Sequence, residues 1–215
     1  MKKTKVILVL LLALIVVFSF AACGTPEEEA TTDESTAGIP VEDIKVGVIH
    51  IGDPADGTGY SYMHDQGIVG MQENIGLSDD QIVRELNISD SDSSAIKSAI
   101  EDCIAQGCNI IFTTSYGYMD TTEKMAEEYP DVYFSHATGY KSNDSNFNNY
   151  FGRIYQARYL TGIAAGLKTE SDKVGYVAAY GTELAETCSG INAFALGVQS
   201  VNPDAVVYVK SLNSW

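Results

Sequence analysis

The chain has 215 residues, of which 45% are hydrophobic, enough for one domain with a sizeable core or for one domain and part of another. Acidic residues outnumber basic ones by 29 to 13, so the formal net charge is -16 at pH 7. A surface this acidic repels the phosphates of nucleic acids and of anionic lipids, which argues against nucleic acid as a partner. The sequence has no CxxC motif and no Cys/His cluster with metal-ligand spacing, and we expect no cofactor.

The first 22 residues have the layout of a secretory signal peptide. Lysines near the N-terminus precede the apolar run 6–18, and small residues follow as far as Cys23. This run is shorter than the roughly 20 apolar residues that span a bilayer. The segment resembles the lipobox of bacterial lipoproteins, with Phe20 where Leu is usual. We therefore interpret residues 1–22 as a lipoprotein signal peptide, with lipid on Cys23 anchoring the protein to the extracytoplasmic face of the cell membrane. The alternatives are an ordinary signal peptide cut near Ala22 and an uncleaved anchor helix.

Residues 23–42 are predicted to form an acidic, flexible tether. They are rich in Glu, Thr, Pro and Gly and have too few apolar side chains to bury themselves. We assign residues 43–150 to an N-terminal α/β lobe and residues 151–215 to a crossover helix and the start of a second α/β lobe. Because the sequence stops just after strand-like residues, we expect this second lobe to be incomplete and the chain to be truncated at its C-terminus.

Strands and helices alternate from residue 44 onward, as judged by β-branched runs and by apolar residues three and four apart. Strands are predicted at 44–51, 81–88, 109–114, 131–136, 173–179 and 205–212. Helices are predicted at 60–75, 93–106, 120–129, 155–167 and 182–201. The Asn- and Ser-rich stretch 141–149 is assigned neither. This alternation predicts a doubly wound α/β fold, in which helices cover both faces of a parallel sheet.

In such sheets, ligands bind in the crevice beyond the carboxyl ends of the strands. The segments that follow the predicted strands are 53–62, 114–120, 136–140, 180–187 and 213–215. Aromatic residues are frequent at or near these segments: Tyr60, Tyr62, Tyr116, Tyr118, Tyr140, Tyr155 and Trp215. Aromatic rings stack on planar ligands, although we expect Tyr118 and Tyr155 to be core or boundary residues. An apolar cleft with a few polar groups is typical of a small-molecule site.

A hydrolase is the main alternative from another class. His64, Asp65 and His136 could orient a serine such as Ser115, but the GxSxG motif is missing. Neighbouring residues on a helix, such as His64 and Asp65, also point about 100° apart. The glycine-rich segment 52–59 is neither a GxGxxG motif nor a Walker loop. We therefore predict that the chain is not an enzyme.

Three cysteines remain besides Cys23. A disulfide between Cys103 and Cys108 is possible in an oxidising compartment, but we favour buried free thiols.

Several segments occur in the same order as in a known family. They are 46–52, 56–57, 59–67, 110–120, 136–141, 190–194 and 212–215. On these segments the sequence resembles the basic membrane protein family, whose members are purine nucleoside- or nucleobase-binding lipoproteins of ABC importers. The resemblance implies a type I periplasmic-binding-protein fold, in which two α/β lobes close on a purine, and ABC permease subunits as partners.

The resemblance also assigns roles to single residues. Tyr60 matches an aromatic residue that stacks on the base, at a position more often occupied by Trp. Tyr116 matches an aromatic residue of the second loop, and Asp120 the carboxylate that follows it. Asn192 and Trp215 belong to the second lobe. The predicted ligand-binding residues are Asp56, Tyr60, Ser61, Tyr62, His64, Thr114, Ser115, Tyr116, Asp120, Thr138, Asn192 and Trp215. The alternatives are a sugar or signal-molecule receptor on the same fold and an anchored sensor without transport.

Overall fold

The computed structural model describes residues 38–215. The predictions for the signal peptide, for Cys23 and for most of the tether fall outside the described residues. The strands are β1 Val46–Ile49, β2 Ile82–Glu85, β3 Ile110–Thr113, β4 Tyr133–Ala137, β5 Phe147–Tyr150, β6 Lys173–Ala178 and β7 Val206–Ser211. The helices are α1 Gly59–Ile75, α2 Ser93–Ala105, α3 Met119–Glu128, α4 Ile154–Lys168 and α5 Ala185–Val201. None of these helices is long and apolar enough to cross a membrane.

The first sheet is parallel and has the strand order β2-β1-β3-β4-β5. Successive residues of a strand point to opposite faces, so each strand contributes to two cores. Val46 and Val48 of β1 pack with Ile68 of α1 on one face. Ile49 and Ile111 pack with residues of α2 and α3 on the other face. Helices therefore cover both faces, which confirms the prediction of a doubly wound parallel sheet.

The sequence assigned the stretch 141–149 to neither a strand nor a helix. In the structure its last three residues belong to β5, which pairs with β4 in parallel. The Asn143 side-chain oxygen accepts hydrogen bonds from three backbone amides, at residues 145 to 147, and shapes the turn before the strand. The Asn146 side chain donates to three backbone carbonyls, which ties the turn to α3 and β4. Phe147 is the one buried residue of this edge strand, so the apolar pattern of a strand is missing from the sequence.

The second sheet consists of β6 and β7, paired in parallel over six residues. Helix α5 connects the two strands and packs closely against α4. A Cβ added at Gly162 would collide with the carbonyl oxygen of Phe194, and one at Gly197 with the carbonyl oxygen of Tyr159. The glycines therefore set the distance between α4 and α5. Helix α5 begins at residue 185 and not at 182, because Leu184 is still extended.

Cys103 and Cys108 are buried free thiols at the end of α2 and just before β3. Of the two interpretations of these cysteines, the structure therefore shows the one we favoured.

Candidate functional site

A cavity of about 220 Å³ lies beyond the carboxyl ends of the strands of the first sheet, and we call it the central crevice. Its lining comes from the loops after four strands of that sheet and from two segments next to the second sheet. The lining residues are Ile51, Tyr60, Asp90, Ser115, Tyr116, Thr138, Glu186 and Trp215. The site therefore lies where the strand-end rule places ligands in doubly wound sheets.

Two larger cavities adjoin the central crevice. The first, of about 500 Å³, shares Tyr116, Thr138 and Trp215 with it and is also lined by Tyr140, Phe151 and Tyr155. The second, of about 430 Å³, shares Tyr60 and Thr138 with the crevice and is also lined by His64 and Arg158. Glu186 lines all three cavities.

Aromatic rings from both sheets face the central crevice. The Trp215 ring lies 6.0 Å from that of Tyr116 and 5.3 Å from that of Tyr180, measured between ring centroids. Tyr60, on the first turn of α1, lies 4.5 Å from the ring of His64. Tyr60 and Trp215 remain 45% and 56% exposed, so their faces are available to a planar ligand.

Polar side chains also line the central crevice. The Ser115 hydroxyl donates to Oδ2 of Asp90 at 2.8 Å, which joins the loops after β3 and β2. Glu186 lies in the first turn of α5, and its burial raises the pKa of its carboxyl group, an effect that the charge of Arg158 partly opposes. Oγ1 of Thr138 is buried without a hydrogen-bond partner among the described residues. Thr138 also has a φ of 67°, in the left-handed region that few residues other than glycine adopt.

Buried hydrogen bonds hold the loops around the crevice in place. The Thr114 hydroxyl donates to the carbonyl of Ile49 at 2.7 Å, and the Tyr118 hydroxyl donates to the carbonyl of Ile88 at 2.6 Å. A Cβ added at Gly117 would lie 2.5 Å from the backbone oxygen of Asp90, so the two loops touch directly. Hydrogen bonds and close backbone contact therefore hold the loops that carry the rings and carboxylates of the site.

The structure brings together some of the predicted ligand-binding residues and not others. Tyr60, Ser115, Tyr116, Thr138 and Trp215 line the central crevice, and His64 lines the adjoining cavity. The remaining predicted residues line none of the three cavities: Asp56, Ser61, Tyr62, Thr114, Asp120 and Asn192.

These remaining residues have other surroundings. Asp120 is exposed and pairs with Nζ of Lys141 at 2.8 Å. Oγ of Ser61 accepts a hydrogen bond from the backbone amide of Gly52 at 3.0 Å. Asp56 ends an exposed 3₁₀ turn, and the Asn192 side chain is exposed on α5. Their roles in ligand binding stay predictions.

Sequence reasoning missed Asp90 and Glu186. Residues 89–92 follow β2 and suggested only a helix cap, a role that Asp92 has through hydrogen bonds to two backbone amides of α2. Glu186 lies within the predicted segment 180–187, but charge on a helix usually indicates a solvated face. Tyr118 is fully buried, as predicted. Tyr155 is not a core residue, because its side chain is 40% exposed and lines the cavity of about 500 Å³.

The histidines near the site are not arranged for nucleophilic catalysis. Ser115 bonds to Asp90, and Nδ1 of His136 lies 3.0 Å from the hydroxyl oxygen of Thr113. His50 contacts Asp65, which also accepts from Arg84. Among residues 38–215, no group of three or more His, Cys, Asp or Glu side chains is placed to hold a metal ion.

Comparison with known proteins agrees with this geometry. Residues 44–215 match the model of the Bmp family, described as ABC transporter substrate-binding protein PnrA-like. The chain belongs to this family. The resemblance found in the sequence segments is thereby confirmed.

The names of two curated relatives state a ligand. The chain is 40% identical over 174 residues to a purine-binding protein of Brucella abortus, a match that covers 81% of this chain and 48% of the relative. It is 36% identical over 193 residues to a Haloferax volcanii protein with the provisional name ABC transporter glucose-binding protein, covering 89% of this chain and 47% of the relative. The chain thus spans about half the length of the curated relatives it matches.

Solved structures share the fold at low sequence identity. A transcriptional activator of the comK gene from Bacillus halodurans has a TM-score of 0.62 at 21% identity, covering 80% of this chain and 54% of its own. An ABC transporter solute-binding protein from Aeropyrum pernix K1 has a TM-score of 0.61 at 18% identity, covering 78% of this chain and 47% of its own. The periplasmic-binding-protein fold is thereby confirmed, and the family and fold are those of solute-binding proteins and not of enzymes.

Proposed function

We propose that this Bmp-family chain is the ligand-binding part of a membrane-anchored lipoprotein that captures a purine nucleobase or nucleoside for an ABC importer. The observation that carries the proposal is the central crevice, where Tyr60 and Tyr116 beside the first sheet and Trp215 beside the second present their rings to one space. Flat rings with a few polar groups suit a planar heterocycle. The purine-binding protein of Brucella abortus supports the same ligand class.

Calorimetry tests the ligand. The full chain, purified in a mild detergent, is titrated with adenine, guanine, adenosine, guanosine and ribose. We expect saturable binding of at least one purine and none of ribose. Binding of sugars alone would overturn the purine proposal.

Glucose is the second candidate, because the Haloferax volcanii relative carries a glucose-binding name. Aromatic rings also pack against sugars, so the same titration includes glucose at equal concentrations. Competition between glucose and the best purine shows whether both occupy the central crevice. Tight glucose binding with no purine binding would favour this alternative.

The anchor is proposed to be lipid on Cys23, followed by a tether that keeps the binding part near the permease. Such a tether favours capture at the membrane, because it confines the protein near its partner. A Cys23→Ser variant should lose incorporation of radiolabelled fatty acid and move from the detergent phase to the aqueous phase. A Cys188→Ser variant is the matched control and should stay in the detergent phase. Unchanged labelling of the Cys23→Ser variant would contradict the lipid anchor.

A further inference from the structure

The charged side chains in the lining of the central crevice are both hydrogen-bond acceptors. Asp90 and Glu186 contribute carboxylates, and Ser115 has already donated its hydroxyl hydrogen to Asp90. Neither carboxylate forms an ion pair with a described residue. Apart from the tyrosine phenols, Thr138 provides the one side-chain hydroxyl whose hydrogen is not committed to another described group. The crevice therefore offers two carboxylate acceptors, and its donors are the Trp215 indole N–H, the Thr138 hydroxyl and the tyrosine phenols.

The acceptors lie beside the aromatic rings of the crevice. Glu186 lines the same cavity as Tyr60, Tyr116 and Trp215. Burial raises the pKa of Tyr60, and the negative charges of Glu186 and Asp90 raise it further. A flat ligand stacked on one of these rings directs its edge sideways, so its edge atoms face the neighbouring polar groups and not the rings.

We infer that Glu186 and Asp90 select, among purines, those whose edge presents adjacent N–H donors, as guanine does with N1–H and its 2-amino group. The inference rests on the proposed function and names the ligand class of that same site. An adenine edge presents an acceptor at N1, which a carboxylate repels, whereas the 6-oxo group of guanine can accept from the Thr138 hydroxyl. A charged group that loses a hydrogen-bond partner on binding is costly, so a ligand edge that cannot donate to the two carboxylates is disfavoured.

The same carboxylates disfavour phosphorylated ligands. Two negative groups without ion-pair partners line the crevice, and a phosphate brings further negative charge into a confined space. Arg158 lines an adjoining cavity, but its charge already acts on Glu186. Guanosine should therefore bind better than guanosine 5′-monophosphate.

The experiment compares affinities of the full chain by calorimetry, with the emission of Trp215, the single tryptophan of the sequence, as a second readout. Wild type should bind guanosine at least about tenfold more tightly than adenosine and than 1-methylguanosine, which lacks N1–H. Glu186→Gln should weaken guanosine binding about tenfold or more and shift the preference toward adenosine, because an amide can both donate and accept. Glu127→Gln makes the same chemical change at an exposed position of α3 and should stay within twofold of wild type.

The outcomes separate the inference from the proposed function. Equal or tighter binding of adenosine by wild type, or unchanged guanosine affinity in Glu186→Gln, overturns the inference while purine binding stands. If wild type binds no purine of the series, the proposed function fails and the inference with it. Should Glu186→Gln not fold, as judged by circular dichroism, the comparison of guanosine with 1-methylguanosine in wild type decides.

Discussion

The ring of Trp215, which follows β7, lies 6.0 Å from the ring of Tyr116, which follows β3. The two residues are far apart in the sequence and stand next to different sheets. Their proximity places aromatic surface from both sheets on one space, which also holds the carboxylates of Asp90 and Glu186. Segments beside both sheets therefore meet at the central crevice.

Tyr60→Ala should weaken purine binding by about 1–3 kcal/mol if the ring stacks on the base, by analogy with base–aromatic stacking. Tyr60→Phe keeps the ring and should retain most of the affinity. Calorimetry measures both, with Tyr133→Ala as control, because Tyr133 is 51% exposed at the start of β4 and lines none of the three cavities of the site. Equal affinity of Tyr60→Ala and wild type would remove Tyr60 from the binding site.

Gly162→Ala should destabilise the fold by about 1–3 kcal/mol, because the new methyl group collides with the carbonyl oxygen of Phe194 where α4 meets α5. Gly67→Ala is the matched control, since the exposed Gly67 in α1 has no atom within 4 Å of an added Cβ. That control should gain roughly 0.5–1 kcal/mol from helix propensity. Urea unfolding measures both changes, and a stabilising Gly162→Ala would contradict the close packing of the two helices.

Stability should fall in mild acid because of His136. Burial lowers the pKa of this fully buried side chain to about 4, from the usual histidine value of 6.5. The unfolded chain binds the proton below about pH 6.5, whereas the folded chain binds it only below about pH 4, so stability is lost as the pH falls through this window. The difference corresponds to roughly 3 kcal/mol.

The measurement for His136 is the free energy of unfolding at several pH values between 7 and 4. His136→Gln should show a shallower loss than wild type, whatever its stability at pH 7. Burial lowers the pKa values of His50 and His64 as well, so some loss should remain in the variant. Identical pH profiles for the two proteins would show that His136 does not contribute.

Asp65→Ala should cost about 1–3 kcal/mol of stability, because it leaves two partners without their acceptor. Asp65 on α1 accepts from Nε of Arg84 on β2 at 2.7 Å and lies 3.3 Å from Nε2 of His50, just after β1. Glu127→Ala, an exposed change on α3, should remain within about 0.5 kcal/mol of wild type. A similar effect of the two substitutions in urea unfolding would argue against a stabilising role of this contact.

Most of the fold could be predicted because its strands and helices bury regular apolar patterns. Val46 and Val48 alternate as a strand should, and Ile96, Ala99, Ile100 and Cys103 form one buried face of α2. The edge strand β5 escaped prediction because its pairing depends on the hydrogen bonds of Asn143 and Asn146 and not on apolar periodicity.

The candidate site was predictable at the level of segments and less so at the level of side chains. The strand-end rule led to the loops of Tyr60, Ser115 and Thr138 because it depends on topology alone. It could not show that Asp90 turns toward Ser115, since that contact depends on how two loops pack. Only the three-dimensional structure shows which residues of a loop face the crevice.

The central crevice takes its lining from segments spread between residues 51 and 215. A molecule bound there would contact segments that are far apart in the sequence. Its binding is therefore linked to the folding of the whole unit, and a ligand at 100 times its dissociation constant would add about 2.7 kcal/mol to the free energy of unfolding. A thermal-shift screen of small molecules would consequently report occupancy of the site and correct assembly of the chain in a single measurement.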